Sequence, residues 1–106
     1  MKKVAAKKAA PKKKVRVEKP LVVAVGESCF WVNHGPVVKD LRELHDAFWS
    51  MSHEQFAHHV TPERNDFAIW TTDVLSDGET GDKLRQVTSR EEAAEIVEEA
   101  LARYNW

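Results

Sequence analysis

Two adjacent histidines, a proline, an arginine, an Asn-Asp pair and a tryptophan fall within residues 58–70, HHVTPERNDFAIW. Side chains of these types at this density suit a metal site, a general acid–base centre, or a polar clasp between helices. Spacing tests the metal first. His53 and His58, in HEQFAH, look like the zinc-protease pattern H-E-x-x-H, but a five-residue step on a helix separates them by about 140°. Glu54 with His58 and Gln55 with His59 do stack at i, i+4, yet two ligands fall short of the three or four that zinc takes. His34 or His45 would have to complete the set through tertiary structure. Neither a metal nor a cofactor is therefore expected.

Asp66 is the sharper case. Beside His58 or His59 it could serve as a general base or a carboxylate ligand. In the first turn of a helix it would simply be favoured by the macrodipole. Trp70 follows one turn later, where its indole N–H could reach the Asp66 carboxylate. The more economical reading is a structural clasp in which His59, Asp66 and Trp70 hold helices together.

The remaining reactive types give less. Cys29 has no base beside it and is expected to be a buried, inert thiol. Ser50, Ser52 and Ser89 fit helix boundaries. The glycines at 26, 35, 78 and 81 are too scattered for a phosphate loop, and SDGETGD lacks the spacing of an EF-hand.

These residues need elements to position them. LVVAV (21–25) and SCFWV (28–32) are short β-branched and aromatic runs that read as strands. NHGP supplies a turn, with Gly35 free to adopt positive φ, and PVV returns as an edge strand, because proline donates no ladder bond. Asp40 and Glu43 then have capping-box spacing, and Leu41, Leu44, His45, Phe48 and Trp49 share one helix face. Ser52 with Gln55 opens a second helix in which Phe56 and Val60 share a face. Thr61-Pro62 offers an N-cap and a first-turn proline for a third, whose stripe would be Phe67, Trp70, Thr71, Val74 and Leu75. SDGETGD should end it, leaving KLRQV as a turn or two. Ser89 with Glu92 caps a last helix carrying Ala93, Ile96, Val97, Ala100, Leu101 and Tyr104, while Glu91, Glu92, Glu95, Glu98 and Glu99 form its solvated side.

Charge divides the chain. Residues 1–20 carry nine Lys or Arg against Glu18 alone, for +8; residues 21–106 carry seven against sixteen acids, for −9. The first segment has no aromatic and no large aliphatic residue besides valine and the initial methionine, so it cannot bury enough apolar area to offset its ordering entropy. It is expected to be a disordered basic arm in front of an acidic globular domain, 21–106. Lys2, Lys3, Lys7, Lys8, Lys12, Lys13, Lys14, Arg16 and Lys19 are its candidate polyanion-binding residues. Without interleaved aromatics they should bind DNA or RNA without regard to sequence. Solubility alone, or folding back onto the chain's own acidic domain, are the alternatives.

The pattern F56-A-H-H59-V, N65-D66-F67-A68-x-W70 and D73-V74-x-x-D77 resembles an uncharacterised domain family of prokaryotic proteins. The resemblance implies a compact, mostly helical domain with a short N-terminal hairpin and no assigned activity. It rests on His59, Asn65, Asp66, Phe67, Ala68, Trp70 and Asp77; Thr71 departs from it, standing where an aliphatic residue is expected. The tail also resembles linker-histone and bacterial histone-like arms.

The expectation is thus an α+β, mostly helical fold, a hairpin packed on four or five short helices behind a basic arm. No apolar stretch suits a signal sequence or a membrane span, and the single cysteine suits a reducing, cytoplasmic setting. The expected role is a non-enzymatic accessory protein, its domain meeting a protein partner and its arm a polyanion, with no membrane partner. The alternative is a metal- or ligand-binding protein or small enzyme using His58, His59 and Asp66, with His45 or His53 nearby. Four tryptophans exceed the needs of so small a core, so Trp31 or Trp106 could be a surface anchor.

Overall fold

The computed structural model describes residues 19–105. In chain order they form β1 (Lys19–Pro20), a 3-10 turn (Gly26–Ser28), β2 (Phe30–Trp31), β3 (Val37–Val38), α1 (Leu41–Ser50), α2 (His53–His59), α3 (Asp66–Asp73), α4 (Gly78–Leu84), α5 (Arg90–Leu101) and β4 (Tyr104–Asn105). The architecture is α+β and mostly helical, as expected, with the hairpin β2–β3 in register Phe30 to Val38 and Trp31 to Val37.

The arm, residues 1–18, lies outside the described residues, and with it Lys2, Lys3, Lys7, Lys8, Lys12, Lys13, Lys14 and Arg16. Lys19 and Pro20 do not belong to it. They pair in parallel with Tyr104 and Asn105, the Lys19 N–H donating to the Arg103 carbonyl at 3.3 Å and its ammonium lying 4.9 Å from the Tyr104 ring centroid.

LVVAV forms no strand. Its backbone bonds are isolated ones, the Ala24 N–H donating to the Lys39 carbonyl at 2.7 Å and the Val25 carbonyl accepting from the Ser28 N–H at 3.0 Å, and a β-branched run without a ladder along its length does not become one. Ala24 is buried and Val23 and Val25 are exposed. In the hairpin turn positive φ belongs to His34, at 57°, and not to Gly35. Gly35 is needed for another reason, because a Cβ there would stand 2.8 Å from Val32 Cγ1 and 3.1 Å from Gln55 Nε2.

Side chains cap the helix starts, and at α1, α2 and α5 a return bond accompanies the cap. At α2 the box is reciprocal, Ser52 Oγ accepting from the Gln55 N–H and Gln55 Oε1 from the Ser52 N–H. At α1 and α5 the cap residues Asp40 and Ser89 accept as expected, but the return bond lands one residue earlier. Glu43 accepts from the Lys39 N–H and Glu92 from the Thr88 N–H. Lys39 also gives Glu43 its ammonium at 2.6 Å, and that hydrogen bond and charge hold the Glu43 carboxyl below its ordinary range.

The third helix begins four residues after the expected Thr61-Pro62. Thr61 and Arg64 instead close a turn on each other's backbone, and Asn65 is the cap. Asn65 wins because it serves two partners, its Oδ1 accepting from the Ala68 N–H and its Nδ2 donating to the Leu84 carbonyl at 2.8 Å. SDGETGD also differs from expectation. It ends α3 through Ser76 at φ 59°, then opens α4, with Asp77 as the cap accepting from the Thr80 N–H. Tyr104 does not continue the stripe of α5, which ends at Leu101, since its hydroxyl is claimed by Asp77 in β4's surroundings.

Phe48, Phe67, Leu41, Leu44, Leu84, Val38 and Val97 form the fully enclosed centre, with α1 against α5 and α3 against α4. On α1 the buried arc runs through Leu41, Leu44, Ala47 and Phe48. His45 and Trp49, each one residue past that arc, sit on its rim, half-buried and exposed respectively. Arg90, at the start of α5, caps the far end of α1 by donating to the carbonyls of Phe48 and Trp49, 3.2 Å each.

Two features between α3 and α4 carry predictions. Thr71 is fully buried and its hydroxyl has no hydrogen-bond partner among the described residues, which leaves a desolvated polar atom. Thr71→Val keeps the shape and removes the hydroxyl, and urea titration should show a gain of about 1 kcal/mol. Gly81 lets the helices approach: a Cβ there would fall 2.0 Å from Thr72 Oγ1 and 3.0 Å from the Ala68 carbonyl. Gly81→Ala should therefore lower stability by about 2 kcal/mol despite its better helix propensity, read from the same titration.

Candidate functional site

The double histidine divides into two fates. His58 is exposed at the end of α2, whereas His59, one residue on, turns into the core at 7% exposure. There its ring meets Phe30 edge-on at 4.9 Å and Phe67 at 5.2 Å. Both ring nitrogens are engaged. Nδ1 lies 3.0 Å from Asp66 Oδ2, and Nε2 accepts from the Asn33 backbone N–H at 3.0 Å. A nitrogen that accepts from an amide cannot carry the proton, so the ring holds its proton on Nδ1 and donates it to Asp66. Asp66 Oδ1 in turn takes Arg64 Nε at 2.7 Å.

The chain Arg64, Asp66, His59 thus has the order of a carboxylate–imidazole relay. In a working base the far nitrogen would face a substrate proton; here it faces the chain's own hairpin. Gln55, one turn before His59 on α2, completes the grip by donating Nε2 to the carbonyls of Asn33 and His34 at 2.9 and 3.2 Å. Between them Gln55 and His59 take both backbone groups of Asn33. The i, i+4 stacking visible in the sequence is used to clamp a turn.

Trp70 is not part of this clasp. Its indole N–H donates to the Ser28 carbonyl at 2.7 Å and not to Asp66, because Phe30, T-shaped to it at 5.7 Å, holds the ring against the 3-10 turn. The cluster read from the sequence therefore separates into two anchors on the same N-terminal segment. Cys29 is half-buried, not buried, its Sγ 3.7 Å from the Ala24 carbonyl.

The other histidines do not converge. Among the described residues no group of three or more His, Cys, Asp or Glu is placed to hold a metal ion. His53 and His34 are exposed, and His45 faces Asp46 at 3.3 Å and Glu98 at 3.6 Å.

A second buried polar cluster was not legible as one. Asp77, 2% exposed, accepts from the Thr80 hydroxyl and the Tyr104 hydroxyl, 2.7 Å each, and from the Thr80 N–H at 3.1 Å. Burial pushes its carboxyl up, but those hydrogen bonds, with Lys19 nearby, bring it below the ordinary range. Burial and then the Asp77 bond raise the Tyr104 phenol. Arg103 joins by donating to Thr80 Oγ1 at 3.2 Å. Asp77 and Thr80 have cap spacing in the sequence; Tyr104, 27 residues on, carries no local signal.

On the surface, Trp31 is 64% and Trp49 49% exposed, and Val37, the cross-strand neighbour of Trp31, is 46% exposed. Trp106 lies outside the described residues. No helix among those residues is long and apolar enough to cross a membrane. The chain matches no family model, no curated protein and no solved structure in the comparisons made.

Proposed function

We propose that this protein is a non-enzymatic interaction module, an acidic helical domain that meets a protein partner and carries a basic arm for sequence-indifferent association with DNA or RNA. The observation that carries the reading is the opposition of charge, +8 in residues 1–20 and −9 in residues 21–106. Lys19, paired with β4 and lying over the Tyr104 ring, is set apart from the other eight cations of the polyanion set. The saturation of both His59 nitrogens by Asp66 and Asn33 supports a structural over a catalytic histidine. The exposed pair Trp31 and Val37 supports the hairpin as the protein-facing side.

A fluorescence titration of the full chain against a labelled 20-base-pair duplex tests the arm. The parent should bind with log K falling by about 0.9 per phosphate contacted for each decade of salt. A chain with Lys2, Lys3, Lys7, Lys8, Lys12, Lys13, Lys14 and Arg16 all changed to Gln should lose both affinity and slope, while Lys19→Gln should keep them. Equal salt-dependent binding by the parent and the eight-fold variant would rule the arm out.

A further inference from the structure

Asp77 and Gly78 form the single Asp-Gly pair in the 106 residues, and the sequence has no Asn-Gly pair. The pair is chemically special because glycine, lacking a Cβ, leaves its amide nitrogen unshielded from the preceding side chain. That nitrogen can attack the aspartate Cγ, forming a C–N bond and expelling a carboxyl oxygen as water, which closes a succinimide ring. Water then adds to either ring carbonyl and opens the ring. One opening restores aspartate; the other leaves isoaspartate, in which the main chain runs through the former side-chain carbonyl. The water lost is regained, and no oxidant or cofactor takes part.

Nothing in the fold asks for glycine at position 78. Positive φ among the described glycines belongs to Gly26, and a Cβ built on Gly78 would meet nothing within 4 Å. Gly81, by contrast, is demanded by the approach of Thr72. What the missing Cβ of Gly78 changes is access to its own nitrogen. Gly78 is also exposed, so water for ring opening is at hand.

The fold sets Asp77 against this chemistry. Ring closure needs the carboxyl to swing over the Gly78 nitrogen and to lose an oxygen, and both oxygens are held. Oδ1 accepts from the Thr80 N–H at 3.1 Å, and Oδ2 accepts from the Thr80 and Tyr104 hydroxyls at 2.7 Å each. Against the pull of burial, those hydrogen bonds keep the carboxyl below its ordinary range. A carboxylate that stays ionised has no hydroxyl ready to leave. Thr80 belongs to α4, the helix that Asp77 caps, but Tyr104 comes from β4, 27 residues away.

We propose that Asp77–Gly78 is a latent isoaspartate site gated by the Tyr104 hydroxyl, which reacts when β4 detaches from the domain. Once formed, isoaspartate locks the opening in. It moves the carboxylate onto the main chain and lengthens the backbone by one carbon, so the α4 cap and the Tyr104 bond cannot both re-form. Because β4 also pairs with Lys19 and Pro20, a transient opening of that pair is recorded as a lasting covalent change at residue 77.

The test holds the full chain at neutral pH in water enriched in heavy oxygen, either folded or in concentrated urea. Each passage through the succinimide fixes one heavy oxygen in the proteolytic peptide that carries residue 77, and chromatography separates its isoaspartyl form. Label should accumulate at least about tenfold more slowly in the folded chain, as expected of a reaction that requires local opening. Tyr104→Phe, shown to be folded by circular dichroism, should label about fivefold faster than the folded parent, the worth of one hydrogen bond. Equal rates in the folded chain and in urea overturn the gate, as does a Tyr104→Phe rate equal to the parent's.

If Tyr104→Phe does not fold, the parent in urea below its unfolding transition replaces it. Labelling should then rise in step with exchange of the Thr80 amide, which is bonded to Asp77; a rise seen only with global unfolding overturns the gate. Gly78→Ala, for which the fold has room, should suppress labelling in urea several-fold. Undiminished labelling in that variant would reveal a route other than attack by the Gly78 nitrogen, and would overturn the assignment of the site.

Discussion

Asp77→Ala is expected to unfold at markedly lower urea than the parent, with a loss of about 3 kcal/mol. Two separate losses add up to this. Removing the carboxylate takes away the cap of α4, whose Thr80 N–H is bonded to Asp77 Oδ1 at 3.1 Å; caps are worth about 1 kcal/mol. It also strands the hydroxyls of Thr80 and Tyr104, both buried and both donating to Oδ2 at 2.7 Å. A buried donor that loses a charged acceptor costs about 1–3 kcal/mol. A cycle of Asp77→Ala, Tyr104→Phe and the double variant should show coupling near 1 kcal/mol or more, since the two groups share one bond. Additive losses would mean that the Tyr104 bond contributes nothing.

The same carboxylate sets a dependence on pH. Its folded-state affinity for the proton is depressed by its hydrogen bonds, so its contribution is fully present above the unfolded carboxyl value, about 3.9, and is lost as pH falls through the lower folded value. The stability gap between the parent and Asp77→Ala should be constant from pH 5 to 8 and should narrow below about pH 4. A gap that widens in acid would contradict the sign of the shift.

His59→Ala should have an effect of similar size, about 3 kcal/mol, from a different mixture of causes. The ring fills the space between Phe30 and Phe67, so truncation leaves a cavity. It also leaves the Asn33 N–H without its acceptor. Amide exchange separates the two, because the Asn33 amide should lose protection in His59→Ala well before the amides of α5 do. Asp66→Ala removes a carboxylate that is a quarter exposed and serves Nδ1 and the exposed Arg64, leaves no cavity in the core, and should cost about 1 kcal/mol. Equal stability of Asp66→Ala and the parent would dismiss the carboxylate from the clasp, leaving His59 as a packing residue that holds Asn33.

Both positions show how far local pattern reaches. Helices α1, α2 and α5 were legible because cap residues and apolar spacing act within one or two turns, where every interacting pair lies a few residues apart in the chain. The start of α3 was misplaced because Thr61-Pro62 and Asn65 are both acceptable caps locally. The choice was made by the Leu84 carbonyl, which lies 19 residues away. LVVAV had the composition of a strand but met no partner along its length, and β propensity stabilises nothing until a neighbouring chain supplies the ladder.

The contact of His59 with Asp66 is part of the clasp read from the sequence. That Nε2 faces Asn33, that Trp70 turns away to Ser28, and that Asp77 waits for Tyr104 are not. Sequence by itself determined the division of charge and the amphipathic helices, since these depend on composition and on contacts within a turn or two. Only the tertiary structure decided what each buried polar group bonds to, because a hydrogen bond of 3 Å needs a partner brought from elsewhere in the chain to one position and one angle. Local periodicity does not encode that coincidence.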